Sequence, residues 1–163
     1  MTEITIRQIQ AEEFNRVWPI FGEILASGDT YAYPADLSLE QACAMWTSAP
    51  ARCFMAEIAG EIVGCYRLAP NQPGPGDHIA NSSYMVASAA RGRGVGEALC
   101  VHSLQEARRS GFQAMQFNFV VSTNTAAVRL WRRLGFEVVG TLPKAFRHPR
   151  LGLVDSLVMY RLL

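Results

Sequence analysis

The stretch "HIANSSYMVASAARGRGVGEALC", residues 78–100, passes from an apolar strand-like segment into Gly92, Gly94 and Gly96 and then directly into a helical pattern. Leu99, Val101, Leu104 and Ala107 continue that pattern to a stop at Gly111, and "QAMQFNFVVS" follows as a second strand-like segment. A strand, helix and strand of this length form a crossover unit whose two strands lie parallel and whose connection is right-handed. A ligand is expected at the carboxyl end of the first strand, where Arg91 follows.

The remaining segments dress this unit. "EITIRQI" alternates as a first strand, and Phe14, Val17, Trp18, Phe21, Ile24 and Leu25 recur at helical spacing, with Pro19 predicting a kink or break. "DTYAYPADL" is a loop, and Ser38 with Gln41 is a capping-box signal for a helix to about Thr47. "RCFMAEIAGEIVGCYRLA" predicts an antiparallel hairpin turning at residues 59–61, with "PNQPGPGD" a loop after it. "NTAAVRLWRRLG" is a helix with Asn124 at its N-cap; "FEVVGTL" and "LVDSLVMYRLL" close the chain as strands, with "KAFRHPRLG" a loop between them. The fold class expected is α+β, or mixed α/β. One domain over residues 1–163 would hold a mixed, mostly antiparallel sheet, a parallel β-α-β core unit and helices on both faces.

A net charge of +1 offers no field to draw the chain onto nucleic acid or an anionic membrane, so neither is an expected partner. Cys43, Cys53, Cys65 and Cys100 show no metal-ligand spacing, and three of them sit in apolar runs, which predicts free thiols, no metal and a cytoplasmic setting. "MTEITIRQIQ" has neither the basic start nor the apolar stretch of a signal peptide.

Glycines at 92, 94 and 96 ahead of a helix N-terminus make an anion site suited to phosphate. A dinucleotide fingerprint would want glycine at 97, where Glu97 stands; a P-loop would want a Gly-Lys-Ser/Thr end that is absent. "RGRGVG", residues 91–96, with Asn124 and "LWRRLGFEVVG" downstream, resembles the acyl-CoA loop and later segments of the GNAT family of N-acetyltransferases. The resemblance implies acetyl-CoA as co-substrate. It implies phosphate contacts from Arg91, Gly92, Arg93, Gly94, Val95, Gly96 and Glu97, and pantetheine pairing with the backbone of Tyr84, Met85 and Val86. Asn124 would touch the same arm, Trp131 stands where many members carry an acidic tyrosine, and a backbone N–H near Met85 or Val86, with Met85 preferred, would stabilise the oxyanion. An indole N–H is no useful proton donor, and a thiolate leaves readily without one.

No Asp or Glu marks the strand at 78–87 as carrying a general base; His78, Asp155 and Tyr84 are titratable candidates there and elsewhere, and Asp155 also suits an ion pair with Arg147. Asn81 and Asn118 stand on the two parallel strands as candidate catalytic and substrate-holding residues, or as structural asparagines satisfying strand ends. Tyr31 and Tyr33 are candidates to line the acceptor pocket, or to cover the core edge. "NFVVSTN" with Trp131 is similar to the azetidine-2-carboxylate type, and the tyrosine loop to the phosphinothricin and methionine-sulfoximine acetyltransferases, which implies a small amino-acid-like amine as acceptor. Arg147 or Arg150 could face its carboxylate. A protein or peptide N-acetyltransferase and a non-catalytic acyl-CoA sensor are the alternatives, and a homodimer is a family-level expectation.

Overall fold

The computed structural model describes residues 3–163. Seven strands form one sheet in the order β1-β2-β3-β4-β5-β7-β6: β1 (Ile4–Ile9), β2 (Arg52–Ile58), β3 (Glu61–Pro70), β4 (Ile79–Val86), β5 (Ala114–Val121), β6 (Glu137–His148) and β7 (Gly152–Leu162). Every neighbouring pair is antiparallel except β4 with β5. The mixed sheet and its parallel crossover are as the sequence predicts.

Four helices cover the two faces: α1 (Trp18–Ser27), α2 (Leu39–Thr47), α3 (Val95–Arg109) and α4 (Thr125–Arg133). Successive strand residues face opposite sides of a sheet, so a strand covered on both faces reads as an unbroken apolar run. Cys53 and Met55 of β2 pack with Phe14, Phe21 and Trp46 under α1 and α2, while Phe54 and Ala56, alternating with them, pack with Leu99 and Leu104 of α3 on the other side. That two-sided burial explains "CFMAEI" and "VGCYRLA".

Pro19 breaks the first helical segment rather than kinking it. Residues Ala11–Arg16 form a 3-10 turn, and Pro19 sits in the first turn of α1, where its missing N–H costs nothing. The capping box at α2 is complete: Gln41 N–H donates to Ser38 Oγ at 3.1 Å and Ser38 N–H donates to Gln41 Oε1 at 3.0 Å. The segment "KAFRH" departs from the loop expected of it. Lys144–His148 continue β6 beyond an irregularity between Leu142 and Phe146, where Lys144 takes φ +53 and donates its N–H to Asp155 Oδ1 at 2.9 Å. Asp155 therefore serves this bulge and not an ion pair with Arg147.

Gly64 sets the distance between α3 and the sheet. A Cβ built there would lie 2.9 Å from Met85 O, 3.0 Å from Leu99 Cδ1 and 3.1 Å from Val95 Cγ1. Gly64→Ala should therefore lower stability by about 1–3 kcal/mol through overpacking, read as a lowered urea midpoint without a change in slope.

Candidate functional site

The parallel pairing of β4 with β5 stops early. Ile79, Ala80 and Asn81 are in register with Ala114, Met115 and Gln116, and the strands then part. On its other edge β5 shifts register against β7 between Phe117 and Val120. The gap opens into a cleft of about 820 Å³ lined by the ends of both strands, the 91–97 loop, α4 and the 29–33 loop.

One side of the cleft is an anion cradle. Gly92 and Gly94 take φ +74 and +80, a backbone region that favours glycine. Nothing lies within 4 Å of a Cβ built at either residue, so conformation and not space demands glycine there. Gly96 is different: its φ is ordinary and an added Cβ would meet Leu130 Cδ2 at an easy 3.5 Å. Because α3 begins at Val95, the N–H groups of Val95, Gly96 and Glu97 lack carbonyl partners within the helix. They present the positive end of the helix dipole to the cleft. Arg91 lines the same wall, whereas Arg93 is exposed outside the lining. Glu97, the carboxylate in that first turn, is held by Arg133 at 2.7 Å, which offsets its charge beside the amides. Asn124 caps α4, its Oδ1 accepting from Ala127 N–H at 3.4 Å.

Alternation along β4 decides which backbone groups face the gap. Ala87 N–H donates to Val63 O on β3 at 2.9 Å, so the odd-numbered residues, Met85 included, turn their N–H and C=O towards β3. Tyr84 and Val86 turn theirs towards the gap. This corrects the expectation for Met85: its amide is committed to the ladder, and the cleft-facing amides are those of Tyr84 and Val86. The Tyr84 pair is already engaged by one atom, because Tyr31 Oη accepts from Tyr84 N–H at 2.9 Å and donates to Tyr84 O at 2.6 Å.

Tyr31 and Tyr33 stack with ring centroids 5.4 Å apart and planes 3° apart, and Trp46 Nε1 donates to Tyr33 Oη at 3.2 Å. Both tyrosines line the cleft and pack on the α1–α2 core. Burial, then the neighbouring Tyr33, raises the Tyr31 hydroxyl well above the ordinary phenol range despite its bond to the Tyr84 backbone. Trp131 packs 5.0 Å from the Tyr84 ring and 5.2 Å from Phe117, closing the cleft from α4.

Asn81 and Asn118 both line the cleft, joined through Gln116 rather than to each other. Asn81 Nδ2 donates to Gln116 O at 3.0 Å, Gln116 Nε2 to Asn118 Oδ1 at 2.8 Å, and Asn118 Nδ2 to Asn71 Oδ1 at 2.7 Å. His78 is exposed at the far end of β4. Tyr84 Oη is buried against Ser103 Oγ at 2.7 Å, and burial raises its hydroxyl well above the ordinary range. Arg147 and Arg150 are exposed and outside the lining, while His148 between them is buried in it. Sequence reasoning passed over His148 and Asp29, each of which lies in a segment that reads as loop. Asp29 and Glu97 are the carboxylates of the lining among the described residues. No group of three or more His, Cys, Asp or Glu among those residues converges on a metal position.

The model of the acetyltransferase (GNAT) family matches residues 6–136. A GCN5-related N-acetyltransferase from Kribbella flavida is 48% identical and superposes with a TM-score of 0.93 over 98% of each chain. An N-acetyltransferase, aca1, of Schizosaccharomyces pombe is 37% identical over 86 residues, 53% of this chain and 41% of that protein. An L-methionine sulfoximine/L-methionine sulfone acetyltransferase of Pseudomonas paraeruginosa is 32% identical over 117 residues, 68% of this chain and 66% of that one. The chain thus spans less than half the length of the fission-yeast relative.

Tyr31→Phe keeps the stacked ring and removes the hydroxyl, which should cost about 1–3 kcal/mol and speed hydrogen exchange at the Tyr84 amide. A tyrosine kept neutral by the fold supports stability fully below the unfolded value of about 10, and that support is lost as pH rises above it. Stability should accordingly fall from pH 10 upward. The fall should be shallower in Tyr31→Phe by about 1.4 kcal/mol per pH unit, measured by urea unfolding across pH 8–11.

Proposed function

The chain belongs to the acetyltransferase (GNAT) family, and from that premise we propose that it transfers the acetyl group of acetyl-CoA directly to the amine of a small amino acid or amino-acid analogue. The observation that carries the reading is the single cleft that joins the anion cradle at 91–97 to the polar and aromatic lining at 29–33, 81 and 118 across the parted strands.

The residues of the cradle fit a coenzyme A pyrophosphate. Free first-turn amides, an adjacent Arg91 and a Glu97 already neutralised by Arg133 suit a doubly anionic group. The cleft-facing backbone of Val86 would pair with the amides of the pantetheine arm in the manner of an added strand, with Asn124 and Trp131 on its other side. Acetyl-CoA supplies an activated acyl group; the protein supplies position and a preorganised N–H. The acceptor's ammonium group first loses a proton to water. The neutral amine nitrogen then attacks the thioester carbonyl carbon, forming the C–N bond and an oxyanion, a second proton passes from nitrogen to water, and the adduct collapses with cleavage of the C–S bond as the thiolate departs on coenzyme A. The N–H of Val86, and that of Tyr84 where the Tyr31 hydroxyl yields, are the donors available to the oxyanion.

The acceptor would occupy the rest of the lining. Asp29 would attract its ammonium group, Asn81 and Asn118 would offer amide contacts, and the stacked Tyr31 and Tyr33 would bound its side chain. The methionine sulfoximine/sulfone acetyltransferase similarity supports an acceptor of this size and chemistry. With Trp131 where an acidic hydroxyl would be useful, the thiolate would leave unassisted and take its proton from water.

Gly94→Val should weaken acetyl-CoA binding about tenfold or more, roughly 1.4 kcal/mol, while Gly96→Ala stays near the unsubstituted protein, both by titration calorimetry. In the companion assay, free thiol is followed across a panel of amino acids, methionine sulfone among them, and a panel of peptides with free N-termini or lysines. Turnover confined to the free amino acids is the expected result; turnover confined to peptides would overturn the small-acceptor reading, and thioester consumption with neither would point to a sensor.

A further inference from the structure

Among the groups that line the cleft, His148 has the most restricted chemistry. It ends β6 opposite Gly152, and because β7 reaches Val121 through Ser156, the ring stands beyond the carboxyl end of β5. The residue is 6% exposed and faces the cleft. Its Nδ1 accepts from Arg150 N–H at 3.1 Å and from Leu151 N–H at 3.2 Å. A ring nitrogen that accepts two N–H groups carries no proton, so the proton sits on Nε2.

Nε2 has no hydrogen-bond partner among the described residues, yet it is not sealed away. The side-chain atoms that are both fully buried and unpartnered among those residues are Thr30 Oγ1 and Ser156 Oγ. Because Nε2 is neither partnered nor among those fully buried atoms, the exposure left to the His148 ring includes Nε2, and the residue lines the cleft. Thr30, in the same lining, holds a second unpartnered polar atom. A donor locked in this tautomer cannot accept a proton from an amine without breaking the two turn bonds, so it is unsuited to act as the base. It is suited to an oxygen, best an anionic one.

We propose that His148 is a specificity-determining residue whose Nε2–H donates a hydrogen bond to the carboxylate of the amino-acid acceptor. The assignment rests on the small-acceptor reading and extends it: Asp29 attracts the ammonium group and His148 reads the carboxylate, so the cleft selects zwitterions over plain amines.

Two substitutions separate this role from support of the turn. His148→Asn puts an oxygen where Nδ1 accepts the two N–H groups and removes the donor at the Nε2 position; His148→Gln keeps an N–H near Nε2 and gives up the turn acceptor. Each is assayed with an amino-acid acceptor and with the amine lacking only its carboxylate, such as L-methionine sulfone and 3-(methylsulfonyl)propylamine. Expected for His148→Asn is a rise in KM for the amino acid of about 10- to 100-fold with kcat changed far less, and kcat/KM for the amine within about twofold. His148→Gln should stay within about threefold on the amino acid, and KM for acetyl-CoA should not move in either variant. Equal losses on both acceptors, an unchanged His148→Asn, or a raised KM for acetyl-CoA would overturn the assignment while leaving the small-acceptor reading intact. Absence of turnover by the unsubstituted protein on every amino acid would overturn both.

Discussion

A parallel strand pair that hydrogen-bonds for three residues and then opens is the constraint on which the rest depends. Past Asn81 and Gln116 the facing edges of β4 and β5 carry backbone donors and acceptors with no strand between them. Unpaired backbone in a protein interior costs free energy, so the opening persists only where other groups or a ligand satisfy it. In this chain protein groups satisfy part of it. The Tyr31 hydroxyl engages Tyr84, the Asn81–Gln116–Asn118–Asn71 chain ties the point of divergence to the neighbouring loop, and the Val86 edge is left for what enters the cleft.

The opening is useful because α3 starts beside it. Left-handed Gly92 and Gly94 bring the chain from the end of β4 into the helix within a few residues, so unpaired amides of a strand edge and of a helix N-terminus border one volume. Gly64 completes the arrangement from the opposite side of β4, letting Val95 and Leu99 sit directly on β3. Anion binding and extended-chain pairing thereby share one wall, a combination that suits a long ligand with a charged head and an amide-bearing arm.

What the sequence made readable was local. The β-α-β unit, the hairpin and the α2 cap each rest on periodicity or turn chemistry contained within about 20 residues, and each appears where expected. The misreadings have non-local causes. Of the two donor amides expected, Met85 and Val86, that of Met85 is spent on the ladder to β3, and a one-residue offset turns the amides of Tyr84 and Val86 to the cleft instead. The extension of β6 was hidden by Pro143 and by the positive φ of Lys144, both tolerated because β6 is an edge strand whose bulge is held by Asp155 on β7. His148 stayed hidden with it. In a segment read as loop, a histidine between two arginines gives no sign that it turns inward while they turn out.

The contact between Tyr31 and Tyr84 joins residues 53 positions apart through a single oxygen. That oxygen satisfies both the N–H and the C=O of one residue, a task that in an antiparallel ladder falls to the residue on the facing strand. The loop that would shape the acceptor's pocket is thus stitched to the strand that would hold the acyl donor. Remodelling that loop would also release or reposition the backbone of Tyr84 at the edge of the cleft, so under the proposed function acceptor preference and acyl-donor handling would be coupled.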